Sequence, residues 1–185
     1  MPRLFDDRPY YEIEWLKNYL PPFNKGTTEE LVDLAINISD FSSKNGGGPF
    51  GAVIADKTGK IVECGCNEVI LSCDSTNHAE INAIRRAQRT LKTYNLSLVT
   101  DLAPFTIYVS CSPCIQCFGA IYWSGIKKVV SAALKEDAEA IGFFEGCITK
   151  EAIQDAFQNK GISFEISTLR EKAKKILLSY QGKIY

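Results

Sequence analysis

Histidine and methionine occur once each in 185 residues, and no charge sign dominates: 22 acidic against 21 basic residues leave a net charge of −1. A chain that grips a nucleic-acid backbone usually carries a basic surplus, because neutralising phosphates supplies most of its affinity. The balance here points away from nucleic acid and toward a small-molecule partner. One local exception is the group Arg85, Arg86, Arg89 and Lys92 on a single expected helix, which reads most simply as a solvated helix face. Long apolar runs are missing as well, and none approaches the ~18 residues of a membrane-spanning helix. The start, Met1-Pro2-Arg3-Leu4-Phe5-Asp6-Asp7, has early acids and none of the apolar centre of a secretory signal. A cytoplasmic location is expected.

Cysteine is not scarce. The seven are Cys64, Cys66, Cys73, Cys111, Cys114, Cys117 and Cys147. An odd number without a secretory signal argues against a disulfide framework. Cys64 and Cys66 alternate within an expected strand and read as small core residues. Three cysteines packed between positions 111 and 117 need another explanation.

The chain reads as one domain, residues 27–185, behind an N-terminal extension of residues 1–26. In the extension, Tyr10, Tyr11, Trp15, Leu16, Tyr19 and Leu20 suit a short amphipathic helix that Pro21-Pro22 ends. Thr27-x-x-Glu30 is a capping box, followed by a helical stripe of Leu31, Leu34, Ala35 and Ile38. Strands are expected at Phe50–Ala55 and Ile61–Cys66, joined by a tight turn into a hairpin. Residues 78–91 form the next helix, Phe105–Ser110 a strand, and Pro113 opens a helix that stops near Gly125. A strand at Val129–Ala133, a helix at Glu151–Asn159 and a strand at Ile162–Ile166 precede a last helix, with Thr168-x-x-Glu171 as its capping box. Strands alternating with helices indicate an α/β sheet covered on both faces.

His78 and Glu80 stand at the start of one expected helix, Cys114 and Cys117 at the start of another. The two cysteines are three residues apart and share a helix face. Partial positive charge at a helix start favours thiolate over thiol. Two thiolates and one imidazole suit zinc. The whole pattern, His-x-Glu followed by Pro-Cys-x-x-Cys, resembles the signature of zinc-dependent nucleobase deaminases. Three ligands leave one position for a water whose pKa the ion lowers, with Glu80 moving its protons. Two other readings exist. Asn77-x-x-Glu80 is also a possible helix cap, and Cys111 as a fourth ligand would make a closed, structural zinc site. Cys111 precedes Pro113 and belongs at a strand end, which favours the open site.

Wider stretches extend the likeness. Gly47-Gly48-Pro49-Phe50-Gly51-Ala52, His78-Ala79-Glu80, Cys114 through Trp123, Ala138 through Gly146 and the final tyrosine together resemble the small bacterial guanine deaminases of the cytidine/deoxycytidylate deaminase superfamily. The resemblance covers about residues 27–185. It implies a three-layer α/β/α sandwich around a mixed, roughly five-stranded sheet, one Zn2+ per chain, and hydrolysis of guanine to xanthine and ammonia. It further implies that Asn67 bonds the base edge, that Ala79 lies along the base, and that Phe50 and Trp123 wall the ring. Glu145 would be a second carboxylate near the leaving amine. Such enzymes form homodimers with swapped C-terminal segments, so Tyr185 would cover a substrate pocket, in trans if swapped. Ser112 stands where many relatives carry Glu, and Phe144 where an acid is common, which keeps guanosine and amino-triazines such as ammeline open. A tRNA adenosine deaminase, a cytosine deaminase and a zinc-stabilised scaffold without catalysis are the alternatives.

Overall fold

The computed structural model describes Leu4, residues 8–144, Gly146 and residues 149–185. Five strands, β1 (Gly51–Ala55), β2 (Ile61–Cys66), β3 (Thr106–Cys111), β4 (Lys128–Ala133) and β5 (Ser163–Ile166), form one sheet in the order β2-β1-β3-β4-β5. β1 pairs antiparallel with β2 and β3, whereas β3–β4 and β4–β5 are parallel. The sheet is therefore mixed, as expected. The helices are α1 (Glu14–Lys17), α2 (Thr28–Lys44), α3 (Val69–Ser72), α4 (Ala79–Thr90), α5 (Ile115–Ser124), α6 (Lys135–Glu139), α7 (Lys150–Asn159) and α8 (Arg170–Ser179).

Strand side chains alternate between two cores because successive Cβ atoms point to opposite faces of a sheet. Val53 and Ala55 of β1 pack with α2 and α8, while Ala52 and Ile54 pack with α4, α5 and Phe157 of α7. Both faces are covered, and the result is a three-layer sandwich. No helix among the described residues is long and apolar enough to cross a membrane.

Helix starts follow the side chains able to hold their free amides. The Thr27 box forms as expected: the Thr27 side chain accepts from the Glu30 amide, and Glu30 accepts from the Thr27 amide at 2.8 Å. The expected box at Thr168 does not form. Leu169 is the cap of α8, with no side-chain cap bond, and Arg170 instead pairs with Asp137, which receives the Leu134 amide at 2.9 Å.

Residues 10–17 are less helical than their pattern suggests. A 3-10 turn at Tyr10–Glu12 and the four residues of α1 replace one amphipathic helix. The segment is nonetheless part of the core: Tyr10, Ile13 and Leu16 are buried, and Trp15 stacks on Phe41 with ring centroids 3.7 Å apart. Each such buried side chain contributes roughly 1.5–3 kcal/mol, far more than a fraying extension would gain.

Candidate metal centre and base pocket

Two helix starts converge on one point. α4 lies close on β2 because Gly65 has no side chain. A Cβ there would collide with the Ala79 carbonyl and stand 2.5 Å from the Ala83 nitrogen. This contact seats the first turn of α4 on the sheet. β3 ends at Cys111 and leads directly to α5, so the starts of α4 and α5 open side by side.

The caps of these helices are His78 and Cys114, and neither makes a side-chain capping bond. Both side chains turn toward Cys117 instead. The Sγ atoms of Cys114 and Cys117 each lie 3.5 Å from Nδ1 of His78, and the three ligand atoms fall within 4.8 Å of one another. Tetrahedral zinc with bonds of about 2.3 Å to sulfur and about 2.0 Å to nitrogen separates S from N by roughly 3.5 Å. The residues therefore fit zinc. Cys114 is the cap and not, as the spacing suggested, a residue on the helix face, and Pro113 precedes the cap.

Protonation agrees with a cation site. Hydrogen bonding from Cys117, with His78 assisting, holds the Cys114 thiol down to about 4, while burial pushes Cys117 well up. Metal binding requires both side chains as thiolates and releases the protons they hold. Cys111 stays outside this group. It is buried at the end of β3, with Sγ 3.4 Å from the Leu134 carbonyl, which removes the closed four-ligand reading among the described residues.

Glu80 is 7 % exposed and lies one residue beyond the start of α4. The helix cap is His78 and not Asn77, so the capping reading of Glu80 is not realised. Burial, reinforced by the charge of Cys114 and opposed by His78, pushes its carboxyl up to about 7. A carboxyl near neutrality exchanges protons in both directions.

A cavity of about 400 Å³ opens onto these groups, with Phe50, Glu80, His78, Phe143 and Tyr185 in its lining. Its roof is the segment 67–77. The Glu68 amide donates to the Asn77 carbonyl, Arg85 of α4 donates to Asn77 and Thr76, and Gln116 of α5 reaches the Ser75 carbonyl. Arg86 pairs with Glu63 at 3.2 Å and also donates to the Arg8 carbonyl. Two members of the basic group on α4 are therefore committed within the protein.

Asn67 is fully enclosed beside Gly48. Its amide donates to the Phe50 carbonyl, and its Oδ1 accepts from the Val69 amide. Its Nδ2 is buried without a hydrogen-bond partner, a state that costs about 1–3 kcal/mol unless a ligand supplies an acceptor. A Cβ on Gly48 would stand 2.8 Å from Asn67 Oδ1 and would collide with the Tyr185 hydroxyl. Tyr185 thus lies over the pocket of its own chain, its ring 6.4 Å from that of His78.

The structure does not gather every expected residue. Trp123 is 72 % exposed near the end of α5, outside the cavity lining, with Lys160 Nζ 4.9 Å above its ring. The resemblance implied a wall at this position, but the helix turns it outward. Ala79 is buried between His78 and Glu80 and does not line the cavity. Glu145 lies outside the described residues. Phe143, Val69, Ser75 and Gln116 line the cavity and were not singled out from sequence. Gln116 and Phe143 sat in recognisable motifs, but no spacing rule separates either from an ordinary structural residue.

With the geometry in place, comparison with known proteins is informative. The profile of the cytidine and deoxycytidylate deaminase zinc-binding region matches residues 25–133. A guanine deaminase of Bacillus subtilis (strain 168) is 44% identical over 125 residues, 68% of this chain and 75% of that protein. A tRNA-specific adenosine deaminase of Buchnera aphidicola subsp. Schizaphis graminum is 33% identical over 149 residues, 80% of this chain and 90% of that protein. The structure of a guanine deaminase from Nitrosomonas europaea superposes with a TM-score of 0.83 at 30% identity, covering 95% of this chain and 97% of the other.

Proposed function

Because the chain belongs to the cytidine and deoxycytidylate deaminase family and is a zinc-dependent hydrolytic deaminase, we propose that its substrate is guanine, which water converts to xanthine and ammonia. The observation that carries this reading is the buried, unpartnered Nδ2 of Asn67, a residue just behind the cavity lining that bonds to Phe50 and Val69, both of which line the cavity together with Glu80. A purine edge offers ring nitrogen and carbonyl acceptors, and meeting a buried donor is an effective source of selectivity.

Zinc, when bound by His78, Cys114 and Cys117, lowers the pKa of water toward neutrality. Glu80 takes the proton from the attacking water and returns protons to the ring nitrogen and the departing amine. Phe50 walls the ring, and Glu145 is the second carboxylate that acts on the leaving amine. Tyr185 covers the bound base and excludes water.

A homodimer is the proposed assembly, supported by the exposed Trp123 on α5. The tail lies over its own chain's cavity, the place a terminal segment exchanged between two copies would also occupy. A cytoplasmic location agrees with a thiolate metal site and with the six described cysteines forming no disulfide among themselves.

The deciding experiment is ammonia release by zinc-loaded protein on guanine, guanosine, adenine, cytosine and cytidine. Turnover of guanine at least tenfold above the others supports the proposal, and a preference for any other compound replaces it. The adenosine deaminase reading, favoured by the Buchnera relative, instead requires tRNA binding that weakens steeply with salt.

A further inference from the structure

One side chain of α4 joins two backbone positions that lead into different parts of the site. Asn82 Nδ2 donates to the Cys66 carbonyl at 3.0 Å and to the Asn77 carbonyl at 3.3 Å. Cys66 is the last residue of β2, and Asn77 immediately precedes the cap of α4. The residue after Cys66 is Asn67, whose buried Nδ2 awaits an acceptor, and the residue after Asn77 is His78, a metal ligand. A primary amide has two hydrogens to give, and a carbonyl oxygen can only accept. The Asn82 side chain is thus a cross-link between the two ends of the roof segment 67–77.

Each end of the roof has further bonds of its own. At the first, the Asn67 carbonyl accepts from the Ser42 hydroxyl at 3.0 Å and from the Gly48 amide at 3.3 Å. At the second, Arg85 donates to the Asn77 side chain at 2.8 Å, and the His78 amide donates to the Thr76 carbonyl at 2.9 Å. The Glu68 amide joins the ends directly, through the Asn77 carbonyl, but Glu68 is part of the roof and moves with it. Asn82 belongs instead to the helix that carries Glu80, and its own amide donates to the His78 carbonyl at 2.9 Å. It therefore refers both ends of the roof to one rigid element. A base seated on Asn67 has to meet the attacking water beside His78, and a misplacement of about 1 Å costs on the order of 10²-fold in rate.

We propose that Asn82 is a positioning residue that registers the base donor Asn67 against the zinc ligand His78, so that its loss slows turnover more than it weakens base binding. The proposal rests on reading the cavity as a base site. Without the Asn82 side chain, Asn67 keeps its bonds to Ser42, Gly48 and Phe50 and still meets the base. What disappears is the common reference to α4. His78 loses a brace at the same time, because the carbonyl of the residue before it gives up its bond to the helix. Partners behind a ligand fix its orientation and so its hold on the metal.

The test compares zinc-loaded full-length wild type, Asn82→Ala, Asn82→Leu and Ser42→Ala. Alanine and leucine are both strong helix formers, so each keeps α4 while removing the donors, and leucine also keeps the volume. Both Asn82 variants should carry about one zinc per chain. Their kcat for guanine should fall on the order of tenfold, with KM changed less than about threefold. Transfer of zinc to a chromogenic pyridylazo chelator should accelerate on the order of tenfold. Ser42→Ala removes a bond from the Asn67 end of the roof alone, and it should leave zinc transfer within about twofold of wild type. Unchanged kcat or unchanged zinc transfer in either Asn82 variant overturns the proposal, as does equal acceleration of transfer by Ser42→Ala. Zinc transfer is read without substrate. If wild type does not turn over guanine, the base-site reading fails by itself, and the transfer rates still decide whether Asn82 braces His78.

Discussion

The site has two halves built by different means. The metal half is made of regular structure: His78, Glu80, Cys114 and Cys117 sit in the first turns of α4 and α5, and both helices lie on the sheet. The base half is made of connections: Asn67 and the segment that follows β2, Phe143 beyond α6, and Tyr185 beyond α8. In the first half, backbone geometry fixes the side chains. In the second, single contacts between distant parts of the chain fix them. Chemistry common to a family is well served by the rigid half, and substrate choice by the adjustable one.

The largest expected effect tests the rigid half. Cys117→Ala should reduce zinc from about one per chain to none, measured by elemental analysis, and abolish turnover. Next comes Glu80→Gln, which should retain zinc and lower kcat by ~10²–10⁴. An enzyme within a few-fold of wild type would mean that Glu80 carries no protons and that the two halves divide the work differently. In the adjustable half, deleting residues 182–185 should keep zinc and melting temperature but lower kcat/KM on the order of tenfold. An unchanged kcat/KM would remove the tail from the base half altogether.

A smaller effect concerns the scaffold between the halves. The Arg170 guanidinium beside Asp137 holds that carboxyl below its ordinary value. A depressed carboxylate contributes stability that is complete above its unfolded pKa of about 3.9 and is lost as pH falls through the folded value. Asp137→Asn should therefore destabilise the protein by about 1–2 kcal/mol at pH 7, with the gap to wild type closing below pH ~4 in denaturant titrations. A gap that persists at low pH would show that the asparagine disturbs packing and not charge. The smallest expected effect is that of Cys111→Ser, which should leave zinc and turnover within about twofold of wild type. Loss of zinc there would reinstate a four-ligand site.

The same division governs what could be read from the residues alone. Period-two and period-3.6 patterns located all five strands and the long helices to within a few residues, because those patterns record which face is buried. The ligands were legible for a similar reason, since two residues three apart at a helix start have one local geometry. Nothing local encodes that Phe143 meets Tyr185, or that Trp123 turns outward to meet Lys160. Those contacts depend on where separate elements end in space. The capping box at Thr168 failed on the same ground: a tertiary pair, Arg170 with Asp137, displaced a purely local preference. Tyr10, Ile13 and Leu16 misled in the opposite sense. Their segment reads as an extension ahead of the domain, and the fold reveals that it closes a core.

That closure has a temporal side. The Arg8 carbonyl is held by Arg86, the Tyr10 hydroxyl by the Ile61 carbonyl, and the Leu4 amide by Glu68, across 78, 51 and 64 residues of chain. These three bonds therefore cannot form until β2 and α4 exist. At synthesis rates of about 5–20 residues per second, Arg8 waits roughly 4–16 seconds for Arg86 to be made. During that interval Trp15 and its neighbours present apolar surface to the cell, and the face of α2 that they will cover is open too. Made well before its partners, the segment is a natural point of engagement for chaperones that bind exposed apolar stretches.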